Sequence, residues 1–164
     1  MSGARITYRF EDRAAVAAIE RLIALRMQVM RPIGIALVQT TQERFRAARD
    51  PFGQPWAPLN PAYAAVKRGP GILRERGMLM RSITYRAGVD EVEVGSNRRY
   101  AAIHQFGGTI VPKSARALRF RLGRRVVYAR AVTIPQRPYL GFGPEDRRAV
   151  LEVLEEAVQT ALEA

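Results

Sequence analysis

The spacing of the apolar residues changes twice along this chain of 164 residues, and this change restricts the possible folds. In residues 12–49 and again in residues 144–163, apolar side chains recur every three or four positions, as one face of a helix requires. Between these segments the spacing shortens to two, which is the period of a strand. We therefore predict an α+β fold in which a small, mainly antiparallel sheet packs against N-terminal helices and a C-terminal helix. A chain of this length favours a single domain over residues 1–164.

The N-terminal helical pattern starts after Asp12, whose side chain suits an N-cap. Pro32 interrupts the pattern, and because proline removes a backbone donor, it predicts either a kink or a second helix. The second part ends near Arg49, just before Asp50 and Pro51. The predicted apolar stripe of the first part consists of Val16, Ile19, Leu22, Ile23 and Met30.

The C-terminal helix has the clearest start signal in the chain. Residues 143–146 read GPED, which places proline at the first helical position and two acids in the first turn. The predicted apolar stripe consists of Val150, Leu151, Leu154, Ala157, Val158 and Leu162. Glu152, Glu155 and Glu156 fall on the predicted outer face. We expect this acidic surface to complement the basic middle of a neighbouring subunit.

Two hairpins are predicted in the middle of the chain. The first joins residues 82–86 to residues 91–94 and has a polar outer face. In the second, Arg119 and Arg121 alternate with apolar residues, Gly123 offers a turn, and residues 126–134 are rich in strand formers. Because alternate side chains of a strand share a face, this hairpin presents a basic ribbon.

The net charge of +12 comes from 27 basic and 15 acidic side chains, and all the basic ones except Lys67 and Lys113 are arginines. An acid-free run extends over residues 113–130 and contains Lys113, Arg116, Arg119, Arg121, Arg124, Arg125 and Arg130. Guanidinium groups pair equally well with phosphates and with carboxylates. The run is thus compatible with a nucleic acid, an acidic protein partner, or simply a solvated basic face.

The sequence carries little catalytic or metal-binding potential. With one histidine and no cysteine, it predicts neither a metal site nor a disulfide, and we expect no cofactor. A triad of Ser82 or Ser96 with His104 and Asp90 can be written down, but no nucleophile-elbow spacing supports it. We therefore do not expect an enzyme. The chain also lacks an apolar run long enough for a membrane helix, and its N-terminus lacks the apolar core of a signal peptide.

The only histidine lies in a motif formed by Tyr100, Ala101, Ala102, Ile103, His104, Gln105, Phe106, Gly107 and Gly108. It could be a catalytic base, a metal ligand or a buried polar group, and the absence of partners favours the structural role. We expect Tyr100, Ile103 and Phe106 to pack inward. The polar side chains of His104 and Gln105 should hydrogen-bond to the backbone of a neighbouring loop. The glycine pair should then permit a sharp exit.

Four short segments in this order carry a family resemblance: residues 50–59 (DPFGQPWAPL), 72–83 (ILRERGMLMRSI), 94–108 (VGSNRRYAAIHQFGG) and 134–142 (IPQRPYLGF). Together they resemble the virion morphogenesis and tail completion family of tailed phages, over roughly residues 35–164. One departure is Arg76, where the family usually has Thr or Ser. No motif covers residues 113–130, so the basic hairpin is interpreted as an insertion particular to this chain.

The resemblance implies a structural virion protein, a tail completion or head–tail connector subunit that forms a ring of six. Its implied location is the neck or tail of a phage assembled in the bacterial cytoplasm. Implied partners are further copies and other neck and tail proteins (terminator, stopper or tail tube), with DNA passing through the lumen. The expected interface residues are Trp56, Arg119, Arg121, Arg124, Arg125, Arg137, Tyr139, Glu152, Glu155 and Glu156. The alternative is a sequence-independent nucleic-acid-binding protein that uses the arginine-rich ribbon of residues 113–130.

Overall fold

The structure, a computed structural model, describes residues 13–163. Its elements, in chain order, are α1 (Arg13–Ala47), α2 (Pro61–Ala64), α3 (Met78–Arg81), β1 (Ile83–Ala87), β2 (Val92–Ser96), α4 (Ala101–Phe106), β3 (Gly108–Ile110), β4 (Leu118–Leu122), β5 (Arg125–Ala129), β6 (Val132–Ile134) and α5 (Pro144–Glu163). Long helices thus flank a strand-rich middle, and the predicted α+β class is confirmed.

The strands of the described residues pair in three separate antiparallel ladders, β1 with β2, β3 with β6, and β4 with β5. Both predicted hairpins are present. In the first, Ile83 is buried while Thr84 and Arg86 are exposed, so its two faces differ as expected. The strand-forming segment 126–134 does not stay in one ladder. It divides into β5, which completes the basic hairpin, and β6, which returns to pair with β3.

Helix α1 runs through Pro32 as one helix, so of the two predicted alternatives, a kink or a second helix, the second helix is wrong. A proline inside a helix costs about 3 kcal/mol, and here α1 gains packing along α5 and across β1 and β2. Gly34 makes part of that packing possible, because a Cβ at this position would lie 2.2 Å from Cδ2 of Tyr85. Tertiary packing therefore stabilises α1 as one helix although Pro32 disfavours it locally.

The N-terminal part of α1 is less buried than its apolar pattern suggests. Of the predicted stripe, Val16 and Ile23 are exposed and Met30 is half-buried. The prediction that Asp12 caps the helix falls outside the described residues, as do the side chains of Ile19 and Leu22.

The apolar core forms where α1, α3, α4 and β1 meet two of the loops. It consists of Phe45, Trp56, Leu79, Ile83, Ala101 and Tyr139. The ring of Phe45 contacts Trp56 edge-on with a centroid distance of 5.4 Å, and its centroid lies 5.0 Å from that of Tyr139. Each of the four segments that carry the family resemblance contributes at least one of these core residues. The motifs therefore share one structural task, which is to build the joint between α1 and the strands.

Candidate functional site

A buried ion pair fixes the beginning of α5 to α1. The Arg44 guanidinium donates to the Asp146 carboxylate, and both side chains are at most 2% exposed. Arg44 also donates to the backbone carbonyl oxygens of Tyr139 and Gly141, at 3.0 Å each. The Asp146 carboxylate accepts further hydrogen bonds from Thr40 Oγ1 at 2.6 Å and from the Gly143 N–H at 2.7 Å. The last bond satisfies a free donor at the helix start, in the manner of a capping box.

The sequence contains only a weak sign of this joint. Its pattern predicts Asp146 as a first-turn acid that complements the helix dipole. The only sign of Arg44 is that a charged residue lies within the apolar repeat of α1, and this does not indicate which carboxylate pairs with it.

Three of the expected interface residues lie inside the subunit. Trp56 is buried and donates from Nε1 to the Pro138 carbonyl oxygen at 2.7 Å. Tyr139 is 1% exposed and donates from its hydroxyl to the Ala101 carbonyl oxygen at 3.1 Å. Burial raises the pKa of Tyr139, and the nearby Tyr100 adds to the rise. In this structure neither ring is open to a partner.

Arg137 is the third of these residues. It is buried, and it donates from Nε to the Ala57 carbonyl oxygen and from Nη2 to the Pro58 carbonyl oxygen, at 2.8 Å each. Burial lowers its pKa. Arg137 therefore fastens the loop after α1 to the segment that precedes α5, and its hydrogen bonds are made within the subunit.

Gln105 makes the backbone hydrogen bonds that its motif predicted. Its Oε1 accepts from the N–H groups of Tyr139 and Leu140, at 3.0 and 2.9 Å, and its Nε2 donates to the Leu140 carbonyl oxygen at 2.9 Å. Gly107 has a φ of 70°, and a Cβ there would lie 2.7 Å from the backbone nitrogen of Gln136. The motif thus holds the 139–140 segment against α4 and turns the chain sharply into β3.

His104 departs from its prediction, because its Nδ1 is buried without a hydrogen-bond partner. Burial lowers the pKa of the ring, and the positive charge of Arg137 lowers it further. Two of the aromatic residues expected inside are exposed, Tyr100 at 41% and Phe106 at 74%. The reason is that the motif forms helix α4, whose Ala101 is the side chain buried in the core.

The catalytic triad that can be written from the sequence is not assembled. Asp90 pairs with Arg26, and Ser82 Oγ donates to the Leu79 carbonyl oxygen and lies 2.7 Å from Ser96 Oγ. The buried Nδ1 of His104 hydrogen-bonds to none of these three side chains. Within residues 13–163 no three acidic or histidine side chains are placed to hold a metal ion. No helix in the same range has the length and apolar character needed to cross a bilayer.

The β4–β5 hairpin presents a mixed basic and apolar face. Arg119 lies opposite Tyr128, and Arg121 lies opposite Val126. Directly opposed residues of an antiparallel pair point to the same side, and all four are exposed. The other two expected arginines lie off this face, Arg124 in the turn and Arg125 opposite Leu122 on the reverse side. The expected basic ribbon is therefore built by Arg119 and Arg121.

The three expected glutamates of α5 are exposed and fall into two groups. Glu152 and Glu156 border a recess shared with Thr40 and Glu43 of α1. Glu155 lies elsewhere, between Leu151 and Val158 in the helical repeat. None of the three, and none of the four hairpin arginines, forms an ion pair with another described residue.

Known proteins resemble this chain over most of its length. The model of the Phage virion morphogenesis family matches residues 11–159. The putative capsid assembly protein G of Escherichia phage Mu is 31% identical over 140 residues, which cover 82% of this chain and 80% of that protein. The Mu-like prophage FluMu G protein 2 of Haemophilus influenzae is 32% identical over 146 residues, which cover 87% and 88%. No solved structure matches the chain.

These matches include all four motif segments and the helices on either side of them, so the resemblance inferred from the sequence is confirmed. The family is one of virion assembly proteins, and the motif residues described above serve the packing of the subunit. The chain belongs to the phage virion morphogenesis family, and its role is a structural one in the assembly of a phage particle.

Proposed function

We propose that this protein is a ring-forming subunit of the phage neck or tail, with six copies in the ring, that acts in tail completion and head–tail joining. The observation that carries the proposal is the pair of oppositely charged surfaces, the face of α5 that carries Glu155 and the face of the β4–β5 hairpin that carries Arg119 and Arg121. Both are exposed, and neither is neutralised within the described part of the subunit. In a head-to-tail ring each copy turns different faces to its two neighbours, so such surfaces can meet.

The rigidity of the joint beneath these surfaces supports the same proposal. The Arg44–Asp146 pair and the Gln105 clamp hold the start of α5 on the core. A helix that is already fixed in place loses little conformational entropy when a neighbour binds to it. The name of the Mu relative refers to capsid assembly, which supports a role in joining parts of a particle.

The hairpin could face either DNA in the lumen or an acidic protein surface. We favour the protein surface, because Tyr128 and Val126 share the face with the arginines and suit a protein contact. A channel for moving DNA also gains nothing from tight phosphate contacts, whose affinity would hold the duplex in place. A sequence-independent nucleic-acid-binding protein remains the second candidate, supported by the exposed Arg119 and Arg121.

A phage genome that lacks this gene separates the candidates. Filled heads and tails that lack this ring should accumulate unjoined in infected cells, as counted by electron microscopy, and the wild-type gene supplied in trans should restore joining. Normal numbers of joined particles without the gene would contradict the proposed function. Filter binding to duplex DNA tests the nucleic-acid-binding candidate. A steep salt dependence that disappears when Arg119 and Arg121 are changed to Ser would favour the nucleic-acid-binding candidate.

A further inference from the structure

A row of exposed side chains runs along α5 without an extensive contact to another described residue of the subunit. Leu151, Glu155, Val158 and Leu162 follow one another at intervals of three or four residues, so they share one face of the helix. The exposed fractions are 46% for Leu151, 38% for Val158 and 68% for Leu162. This row, here called the α5 strip, is an apolar surface with one carboxylate in its middle. It differs from the side of α5 that carries Val153 and Ala157 and borders α1.

The outer face of the β4–β5 hairpin has the opposite charge and a comparable apolar content. This hairpin face consists of Arg119 and Arg121 on β4 and of Val126 and Tyr128 on β5. Val126 is 40% exposed and Tyr128 66% exposed. Apart from the pairing of its strands, the hairpin makes no extensive contact with another helix or strand of the described chain. An isolated two-stranded hairpin with an apolar face is marginally stable in water, so a partner that covers it would stabilise it.

The two surfaces differ in length but complement each other in charge. The α5 strip spans eleven helical steps from Leu151 to Leu162, which is about 16 Å. The hairpin face spans two residue steps on each strand, which is about 7 Å, so one hairpin can cover roughly half of the strip. Each surface combines exposed apolar side chains with charge of one sign that no described residue neutralises, and the two signs are opposite.

We infer that the hairpin face of one copy packs on the α5 strip of the next copy. The guanidinium groups of Arg119 and Arg121 flank the Glu155 carboxylate, while Tyr128 and Val126 cover the exposed aliphatic side chains of the strip. This inference rests on the proposed ring and identifies the contact that closes it. It also divides the acidic helix, because Glu152 and Glu156 lie beside α1 and outside the contact.

Site-specific cross-linking tests the contact, since the chain has no cysteine of its own. One variant carries Arg121→Cys, a second carries Glu155→Cys, and the two are mixed at millimolar concentration with a short bismaleimide reagent. A covalent heterodimer should form, and Arg119→Cys should replace Arg121→Cys without loss of yield. The matched controls, Arg124→Cys with Glu155→Cys and Arg121→Cys with Glu152→Cys, should give much less product.

Charge reversal tests the same contact by affinity. Glu155→Arg should weaken self-association about tenfold in sedimentation equilibrium, as expected when an ion pair becomes a repulsion. Reversal of both hairpin arginines, Arg119→Glu with Arg121→Glu, should do the same, and the combination of all three changes should recover most of the loss. Glu152→Arg is the control of equal charge and should leave association unchanged. Circular dichroism of each variant verifies that these exposed positions do not affect folding.

Equal cross-linking in test and control pairs would overturn the inference, and so would equal effects of Glu155→Arg and Glu152→Arg. A chain that neither cross-links nor associates at millimolar concentration would overturn it as well. The proposed function is judged separately by the gene deletion. If heads and tails stay unjoined without the gene while the cross-linking shows no preference, the joining role stands and this interface is wrong.

Discussion

The buried pair of Arg44 and Asp146 gives the sharpest prediction for the subunit itself. In Asp146→Asn the side-chain volume is kept, but the guanidinium of Arg44 loses its counter-charge while it stays buried. Removing one partner of a buried ion pair costs about 3–5 kcal/mol. In the wild type, both carboxylate oxygens of Asp146 accept hydrogen bonds, from Thr40, Arg44 and Gly143. The amide of Asn has only one acceptor oxygen, because its other terminal atom is an NH₂ donor, so at least one of these bonds is lost. We therefore expect a loss in the middle of this range, about 4 kcal/mol.

The assay is urea denaturation followed by circular dichroism. With a denaturant slope of about 2 kcal/mol per molar, the midpoint should fall by about 2 M. Glu145→Gln is the matched control, because Glu145 is an exposed acid in the same helical turn, and its midpoint should hardly move. Combining Asp146→Asn with Arg44→Met should cost less than the sum of the two single changes, since the second change removes the stranded charge. A loss below about 1 kcal/mol for Asp146→Asn, or strict additivity in the double variant, would show that the buried pair does not stabilise the fold in this way.

Three further predictions concern the loops around the core. Gly107→Ala should destabilise the fold by more than about 1 kcal/mol in the same urea assay. The alanine would have to adopt a φ of 70°, and its Cβ would clash with the backbone nitrogen of Gln136. Trp56→Phe should cost about 1–3 kcal/mol, since the Pro138 carbonyl oxygen loses its donor inside the core, and an unchanged midpoint would contradict that bond. His104 has a folded-state pKa below its ordinary 6.5, so the unfolded chain takes up a proton first and stability should fall as the pH drops below about 6.5. In His104→Gln this pH dependence of the urea midpoint should shrink, and an identical profile in both proteins would exclude His104 as its source.

Periodicity predicted those parts of the fold that depend on local pattern. The hairpin 82–94, the basic hairpin around Gly123 and the start of α5 at Pro144 all appear where the sequence indicated. In each case the turn residue or the helix-start residues fix the geometry within a few positions. Local chemistry decides such elements, so a single sequence is sufficient to find them.

The parts that could not be predicted depend on contacts distant in sequence. Pro32 stays inside one helix because α5, β1 and β2 pack along α1, and no local pattern reports that packing. The sequence predicts Trp56 and Tyr139 at an interface, but both are core residues. Large aromatic residues in loops occur at surfaces as well as in cores, so the sequence alone does not distinguish the two positions. Only the approach of Phe45 from α1 decides that they are core residues.

The sequence predicts the charge of the β4–β5 hairpin and of α5, but not which residues share a face with the charged ones. The sequence indicated a basic ribbon and an acidic helix, and the register of β4 and β5 then placed Tyr128 and Val126 beside the arginines. Likewise, the helical repeat alone did not separate Glu155 from Glu152 and Glu156, because all three fall within one broad face. The position of α1 next to that face separates them.

The most direct test of the proposed ring is electron cryomicroscopy of intact tailed particles, with this chain located by a fused label. We expect a closed ring of copies at the neck or the tail end. Within the ring, the β4–β5 hairpin of each copy should lie on α5 of the next. Particles in which the chain is absent, or present as isolated copies that do not close a ring, would contradict the proposed function.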